Sequence, residues 1–189
     1  MFDLKITGGT VVDGTGADRF TADVAVKDGK IVEVRRRGPG DAPLEGNATE
    51  TIDATGKIVA PGFVDIHTHY DGQVSWDSVL EPSSNHGVTT VVAGNCGVGF
   101  APVRPGSEEW LIALMEGVED IPGTALTEGI TWGWESYAEY LDVIGRRELA
   151  VDFGSQIAHG TVRAYAMGER GARNEAATPE DIAAMSRLV

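Results

Sequence analysis

The feature that most constrains this chain is a short apolar strand that runs into two histidines. Phe63-Val64-Asp65-Ile66 is apolar apart from Asp65, follows a Pro61-Gly62 turn, and leads into His67-Thr68-His69-Tyr70-Asp71. Side chains alternate faces along a strand, so His67 and His69 project from the same face. Two imidazoles on a rigid strand end can bind one cation without rearranging the backbone. Neutral imidazole is the commonest nitrogen ligand for zinc and its neighbours in the first transition row. The alternative is a pair of surface histidines at a strand terminus. The chain has only four histidines, and so apolar a strand leading into two of them favours metal binding.

Two further strands are readable downstream. Val88-Thr89-Thr90-Val91-Val92 is a β-branched run of the kind found in buried parallel strands. It ends in Ala93-Gly94-Asn95-Cys96-Gly97, where two glycines let the backbone turn sharply around a thiol. Residues 149–157 read as another parallel strand, finishing in Ala158-His159-Gly160. Between and after these strands lie helices. One follows Ser107, with Glu108 and Glu109 at its positive end and an apolar stripe of Trp110, Leu111, Leu114, Met115 and Val118. A second opens with the capping box Ser136-x-x-Glu139 and closes at Gly145. A third starts at Thr178-Pro179-Glu180-Asp181 and presents Ile182, Met185, Leu188 and Val189, with no stop signal before the sequence ends. Residues 119–133 read as a long loop, and loops of that length are usually functional. Trp76 to Asn85 reads as loop with one helical turn. His86-Gly87 suits a helix end, which accounts for His86 without a ligand role.

Residues 1–60 have a different character. Leu4 and Ile6 alternate with polar neighbours, Gly8-Gly9 is expected to break the run, and Asp13-Gly14 turns the chain after Val11-Val12. Asp28-Gly29 between two alternating runs is the strongest hairpin signal in the sequence. Arg35-Arg36-Arg37 at the hairpin exit reads as a solvated edge that discourages strand pairing. Thr51-Ile52 and Lys57-Ile58-Val59-Ala60 complete a small sheet. It has few large apolar residues, and packing as half of a sandwich is the expectation.

Charge narrows the partners. Twenty-nine acidic residues against fifteen basic ones give a formal net charge of −14, which disfavours nucleic acid and anionic membrane surfaces. No apolar run approaches a membrane span, and the N-terminus starts as a strand with no signal-peptide pattern. The single cysteine, Cys96, rules out an internal disulfide and fits a reducing, cytoplasmic setting.

Alternating strands and helices imply an α/β fold with a parallel sheet. Three successive strand ends carry reactive groups: His67 with His69, Cys96, and His159. Ligand sites in such folds gather at the C-terminal ends of the strands, so one functional rim is the economical reading. A closed (β/α)8 barrel takes roughly 250 residues, and only about 125 follow Phe63. The expected organisation is therefore a small β subdomain over 1–60 and the first three or so βα units of a barrel over 61–189, the front part of a larger enzyme.

Leu4-x-Ile6-x-Gly8-Gly9-x-Val11-Val12-Asp13-Gly14, the Pro61-Gly62-Phe63-x-Asp65-x-His67-x-His69 core and Gly87-Val88-Thr89-Thr90-Val91 resemble the amidohydrolase superfamily. His67-Thr68-His69-Tyr70-Asp71 together with Gly94-Asn95-Cys96-Gly97 is similar to its D-aminoacylase branch, the N-acyl-D-amino-acid deacylases. Met167-Gly168-Glu169-Arg170 and Thr178-Pro179-Glu180 extend the likeness, which runs through essentially the whole chain. The resemblance implies a (β/α)8 TIM barrel, a β-sandwich built from both chain ends, and one or two zinc ions at the barrel mouth. It implies hydrolysis of a linear amide on a small-molecule substrate, an N-acylated D-amino acid. His67 and His69 would be metal ligands and Cys96 a thiolate ligand able to bridge two ions. The general-base aspartate and two more histidine ligands would lie downstream of Val189, so residues 1–189 alone are expected to be inactive. Asp71, one turn past the ligand pair, invites a reading as base but by its position is equally a partner that orients a histidine or meets substrate. Asp65 would do the same or satisfy backbone groups. His159 would touch substrate or be structural, and Arg163 would pair a substrate carboxylate or sit at the surface. Two alternatives stay open at this point: a cyclic amidase of the hydantoinase or dihydroorotase type, and a non-catalytic metal-binding fragment.

Overall fold

A computed structural model describes residues 1–119 and 121–189, excepting the side chains of Val118 and Glu119. Val118 of the expected apolar stripe thus lies outside the described side chains. The chain is an α/β protein that divides into two compact units, Met1–Pro61 and Gly62–Val189. No helix among the described residues is long and apolar enough to cross a membrane.

The first unit is a mixed five-stranded sheet. It contains β1 (Phe2–Val11), β2 (Phe20–Lys27), β3 (Lys30–Arg36), β4 (Ala48–Asp53) and β5 (Ile58–Val59). The order is β3-β2-β1-β4, with β5 also on β1. The expected hairpin forms: β2 and β3 are antiparallel, Lys27 faces Lys30, and Asp28 and Gly29 both take positive φ, 52° and 71°. Positive φ at both central residues is what a two-residue type I′ turn needs. Gly8-Gly9 does not break β1. The strand continues through it, absorbing the pair as a register shift between Ile6 and Gly9, with Gly8 in the left-handed region.

The arginine run also differs from expectation. Arg35 is solvated, but the Arg36 guanidinium lies 3.7 Å over the Phe20 ring. Arg37 turns inward to Asp23, which is completely buried. The Asp23 carboxylate accepts from Gly8 N–H at 2.7 Å, Leu44 N–H at 2.7 Å and Arg37 Nη1 at 3.2 Å. A buried carboxylate survives only with such partners. A periodicity argument could not see this pairing, because Asp23 and Arg37 are far apart along the chain.

The second unit holds a parallel three-stranded sheet in the order β6 (Phe63–Thr68), β7 (Val88–Ala93), β8 (Asp152–Ser155). β8 is shorter than the apolar run from 149 to 157, because Ala150 N–H leaves the sheet to donate to the Ser78 carbonyl at 2.8 Å. The helices are α1 (Glu108–Glu119), α2 (Gly123–Gly129), α3 (Tyr137–Ile144), α4 (His159–Met167), α5 (Glu169–Ala172) and α6 (Pro179–Leu188). Both N-terminal capping boxes are present, Ser136 with Glu139 on α3 and Thr178 with Asp181 on α6. Gly145 closes α3 in a right-handed conformation, φ −62°, so it is not a left-handed cap. Gly87, at φ 84°, is such a cap for the 3-10 turn Ser84–His86.

Two corrections concern helices. The stretch expected to be a long loop contains α2. It is held by Gly123 N–H on Glu116 Oε1 at 2.7 Å and buries only Leu126, too little to give a visible period. α4 and α5 follow β8 directly where no helix was expected. Glycines at 160, 168 and 171 disguise them, although Thr161, Val162, Ala164 and Met167 are buried. The core of this unit gathers Phe100, Leu80, Leu111, Leu126, Val74 and Val91, all essentially without solvent contact.

Burial by itself pushes the Asp23 carboxyl up, but the Leu44 and Gly8 N–H groups and Arg37 more than reverse this and hold it below its usual value. A depressed folded pKa stabilises fully above the unfolded value of about 3.9 and stops doing so as pH falls through the folded one. Asp23→Ala is expected to cost about 3 kcal/mol at neutral pH, since it strands a buried N–H at Leu44, a half-buried one at Gly8 and the Arg37 cation. Hydrogen-exchange protection over Ala22–Val26 reads this directly, and the gap to wild type should narrow as pH drops below about 4.

Candidate metal centre

The strand register builds the site. Thr68 pairs with Ala93 and Ala93 with Ser155, so three parallel strands end level. Whatever follows each strand end therefore reaches the same rim. After β6 comes His69, after β7 the turn Gly94–Gly97, and after β8 the segment into α4.

Thr68 faces inward and donates its hydroxyl to the Val92 carbonyl at 3.0 Å, while His67 is exposed and His69 half-buried. The two imidazoles stack, centroids 5.8 Å apart and planes at 26°. Between the glycines, Cys96 is a free, exposed thiol. One nitrogen from each of His67 and His69 and the Cys96 Sγ all lie within 4.8 Å of one another. Ligand atoms around one tetrahedral zinc stand about 3.5 Å apart, given metal–ligand bonds of about 2.0–2.3 Å. The gap is within reach of small side-chain rotations, and the donor set of two nitrogens and one sulfur is one that zinc accepts. These residues fit a metal ion.

The turn that carries Cys96 depends on Gly94. Its φ is 83°, and a Cβ there would stand 2.0 Å from the Gln156 carbonyl oxygen. Only glycine lets the two strand exits approach so closely. Gly97 N–H closes the turn on the Gly94 carbonyl at 3.0 Å, and Gly160 N–H donates to the Gly97 carbonyl at 2.8 Å. Asn95, to which the sequence assigned no role, donates Nδ2 to the Ile66 carbonyl at 3.2 Å. It ties the cysteine turn to the strand that bears the histidines. Its position beside Cys96 and between glycines was the one signal that could have found it.

The other named residues separate. Asp65 is half-buried and its Oδ1 accepts from His67 N–H at 3.1 Å, so it serves the backbone. Asp71 is buried; its carbonyl accepts from Tyr140 and its carboxylate lies near enough to Tyr137 and Tyr140 to act on both phenols. His159 is the exposed first residue of α4, with its Cβ against Gly97, on the rim but outside the three-donor group. Arg163 belongs to neither rim nor site in its contacts: its guanidinium donates to the Glu175 carbonyl at 2.8 Å. His86 stands at the end of its 3-10 turn, outside the donor group.

Residues 50–189 match the amidohydrolase family, and the chain belongs to it. The D-aminoacylase of Alcaligenes xylosoxydans xylosoxydans is 36% identical over 188 residues, 99% of this chain and 34% of that protein. A solved D-aminoacylase described by its binuclear metal centre superposes with a TM-score of 0.74 at 33% identity, over 100% of this chain and 35% of that one. An N-acyl-D-glutamate deacylase from Bordetella bronchiseptica, solved with zinc and a phosphonate inhibitor, gives 0.69 at 33% identity, over 99% and 35% of the two chains. This chain thus spans about a third of the length of these relatives.

Gly106 also has positive φ, 81°, but a Cβ there would meet nothing within 4 Å. Gly106→Ala is therefore expected to cost about 1 kcal/mol of backbone strain. Gly94→Ala adds a clash with backbone and should cost about 3 kcal/mol or more. Urea unfolding followed by tryptophan fluorescence compares them. Equal losses would contradict the close approach of Gly94 to Gln156.

Proposed function

We propose that the whole protein is a zinc-dependent hydrolase of N-acyl-D-amino acids, cleaving a linear amide to a D-amino acid and a carboxylate. This chain contributes the first ligand loops. The observation that carries the reading is the convergence of His67, His69 and Cys96 within 4.8 Å at the level ends of adjacent parallel strands. The likeness to D-aminoacylase over the full length of the chain supports the substrate class.

In this reading His67, His69 and Cys96 hold one or two zinc ions, which when bound supply Lewis acidity and a water of lowered pKa. The imidazoles would serve as nitrogen donors and Cys96 as a thiolate donor. Asp65 fixes the backbone at His67, and Asn95 fixes the cysteine turn against β6. His159, exposed beside Gly97 on the same rim, is read as a substrate contact. The aspartate that moves the proton in hydrolysis belongs to the remainder of the protein, as do further ligands.

Residues 61–189 are, on the same reading, the first three βα units of a (β/α)8 barrel, supported by three parallel strands in sequential order. β6 exposes apolar side chains on both faces, Phe63, Val64 and Ile66 each more than 60% accessible, as a strand awaiting neighbours would. Residues 1–60 form one half of a sandwich, supported by the exposed Ile31, Val32 and Val34 of β3.

The test uses the whole protein with N-acetyl-D-amino acids, before and after metal removal by chelation. Activity is expected to vanish on chelation and return with zinc. His67→Ala and Cys96→Ala should each lower bound zinc and reduce turnover by at least about 100-fold. Unchanged metal content in both variants, or turnover of hydantoins with none of N-acetyl-D-amino acids, would overturn the reading.

A further inference from the structure

The three donors lie on the end of β6 and on the turn after β7, and two aromatic side chains from one short segment are bonded to the loop backbone that follows each. Tyr140 on α3 donates its phenol to the Asp71 carbonyl at 3.0 Å, two residues beyond His69. Trp134, just ahead of α3, donates its indole N–H to the Phe100 carbonyl at 2.8 Å, four residues beyond Cys96. Both bonds are buried, and the two rings meet edge to face with centroids 5.1 Å apart. The loops also touch each other, since a Cβ on Gly72 would stand 2.9 Å from the Phe100 ring.

The segment that bears the two aromatics is itself fixed. The Glu139 carboxylate accepts from the backbone N–H of Ser136 at 2.8 Å and of Glu135 at 2.9 Å. Val103 N–H donates to the Glu135 carbonyl at 2.8 Å. Tyr140 stays a neutral donor, because burial first, and the Asp71 carboxylate second, push its phenol well above the ordinary value. Buried carbonyls have no water to fall back on, so these two bonds are not readily exchanged.

We infer that Trp134 and Tyr140 are positioning residues that jointly set the separation between the His67–His69 pair and Cys96. The inference rests on reading those three donors as one metal site. Neither aromatic is within the donor group; each acts through the backbone that follows a donor. Groups bonded directly to metal ligands typically govern affinity by about 10–100-fold; these bonds act two and four residues from a donor, which puts their effect at the low end of that range.

Cobalt titration of the whole protein tests this, because a cysteine thiolate on cobalt gives a charge-transfer band in the near ultraviolet that Cys96→Ser should abolish. Tyr140→Phe and Trp134→Phe each remove one donated proton and keep an aromatic ring. Each is expected to weaken cobalt binding about 10-fold and to shift the thiolate band. Ile144→Val trims a buried residue of the same helix without touching either hydrogen bond, and should leave affinity and band unchanged. Wild-type affinity and an unshifted band in either aromatic variant would overturn the inference, as would an equal loss in Ile144→Val. A wild-type protein with no thiolate band fails differently: it removes Cys96 from the metal site and takes this inference with it.

Discussion

The second unit depends on the register of its three parallel strands. Thr68, Ala93 and Ser155 lie side by side, and a slip of one residue along β7 would turn every side chain to the opposite face. Thr68 guards against such a slip by donating to the Val92 carbonyl from the inner face. The outer face is thereby left to His67 and His69. The strand that presents the histidines is thus held by the residue between them, just past a register shift between Asp65 and Thr68.

The second requirement is a close approach of backbones at the rim. Gly94 and Gly160 both admit a carbonyl oxygen where a Cβ would stand, Gln156 at 2.0 Å in one case and Gly97 at 2.6 Å in the other. The Cys96 turn is consequently held between β6 on one side, through Asn95, and the start of α4 on the other. The backbone under Cys96 is thereby fixed by folding alone.

What the sequence made legible follows from how local the signal is. The His67–His69 geometry needs only strand alternation, the Asp28-Gly29 hairpin only a turn preference, and the caps at Ser136 and Thr178 only a spacing of three. All of these appear in the structure. Cys96 was legible as a thiol in a tight turn, because glycines at 94 and 97 announce the turn. The misses are non-local or lack a period. Arg37 finds Asp23 across a sheet, Arg163 finds a carbonyl in the chain beyond its own helix, and α2, α4 and α5 are short or interrupted by glycine. Tyr140 and Trp134 read as ordinary core aromatics, since nothing in their neighbourhood along the chain points to Asp71 or Phe100.

The donor set itself discriminates between ions. Asp65 and Asp71 flank the histidines, yet one accepts from a backbone N–H and the other is buried among Tyr137 and Tyr140. Among the described residues, the converging metal-binding atoms are two nitrogens and a sulfur. Calcium and magnesium seek oxygen, whereas imidazole and thiolate favour zinc and its transition-metal neighbours. On the proposed reading, a site of these donors would favour such ions over the more abundant hard cations.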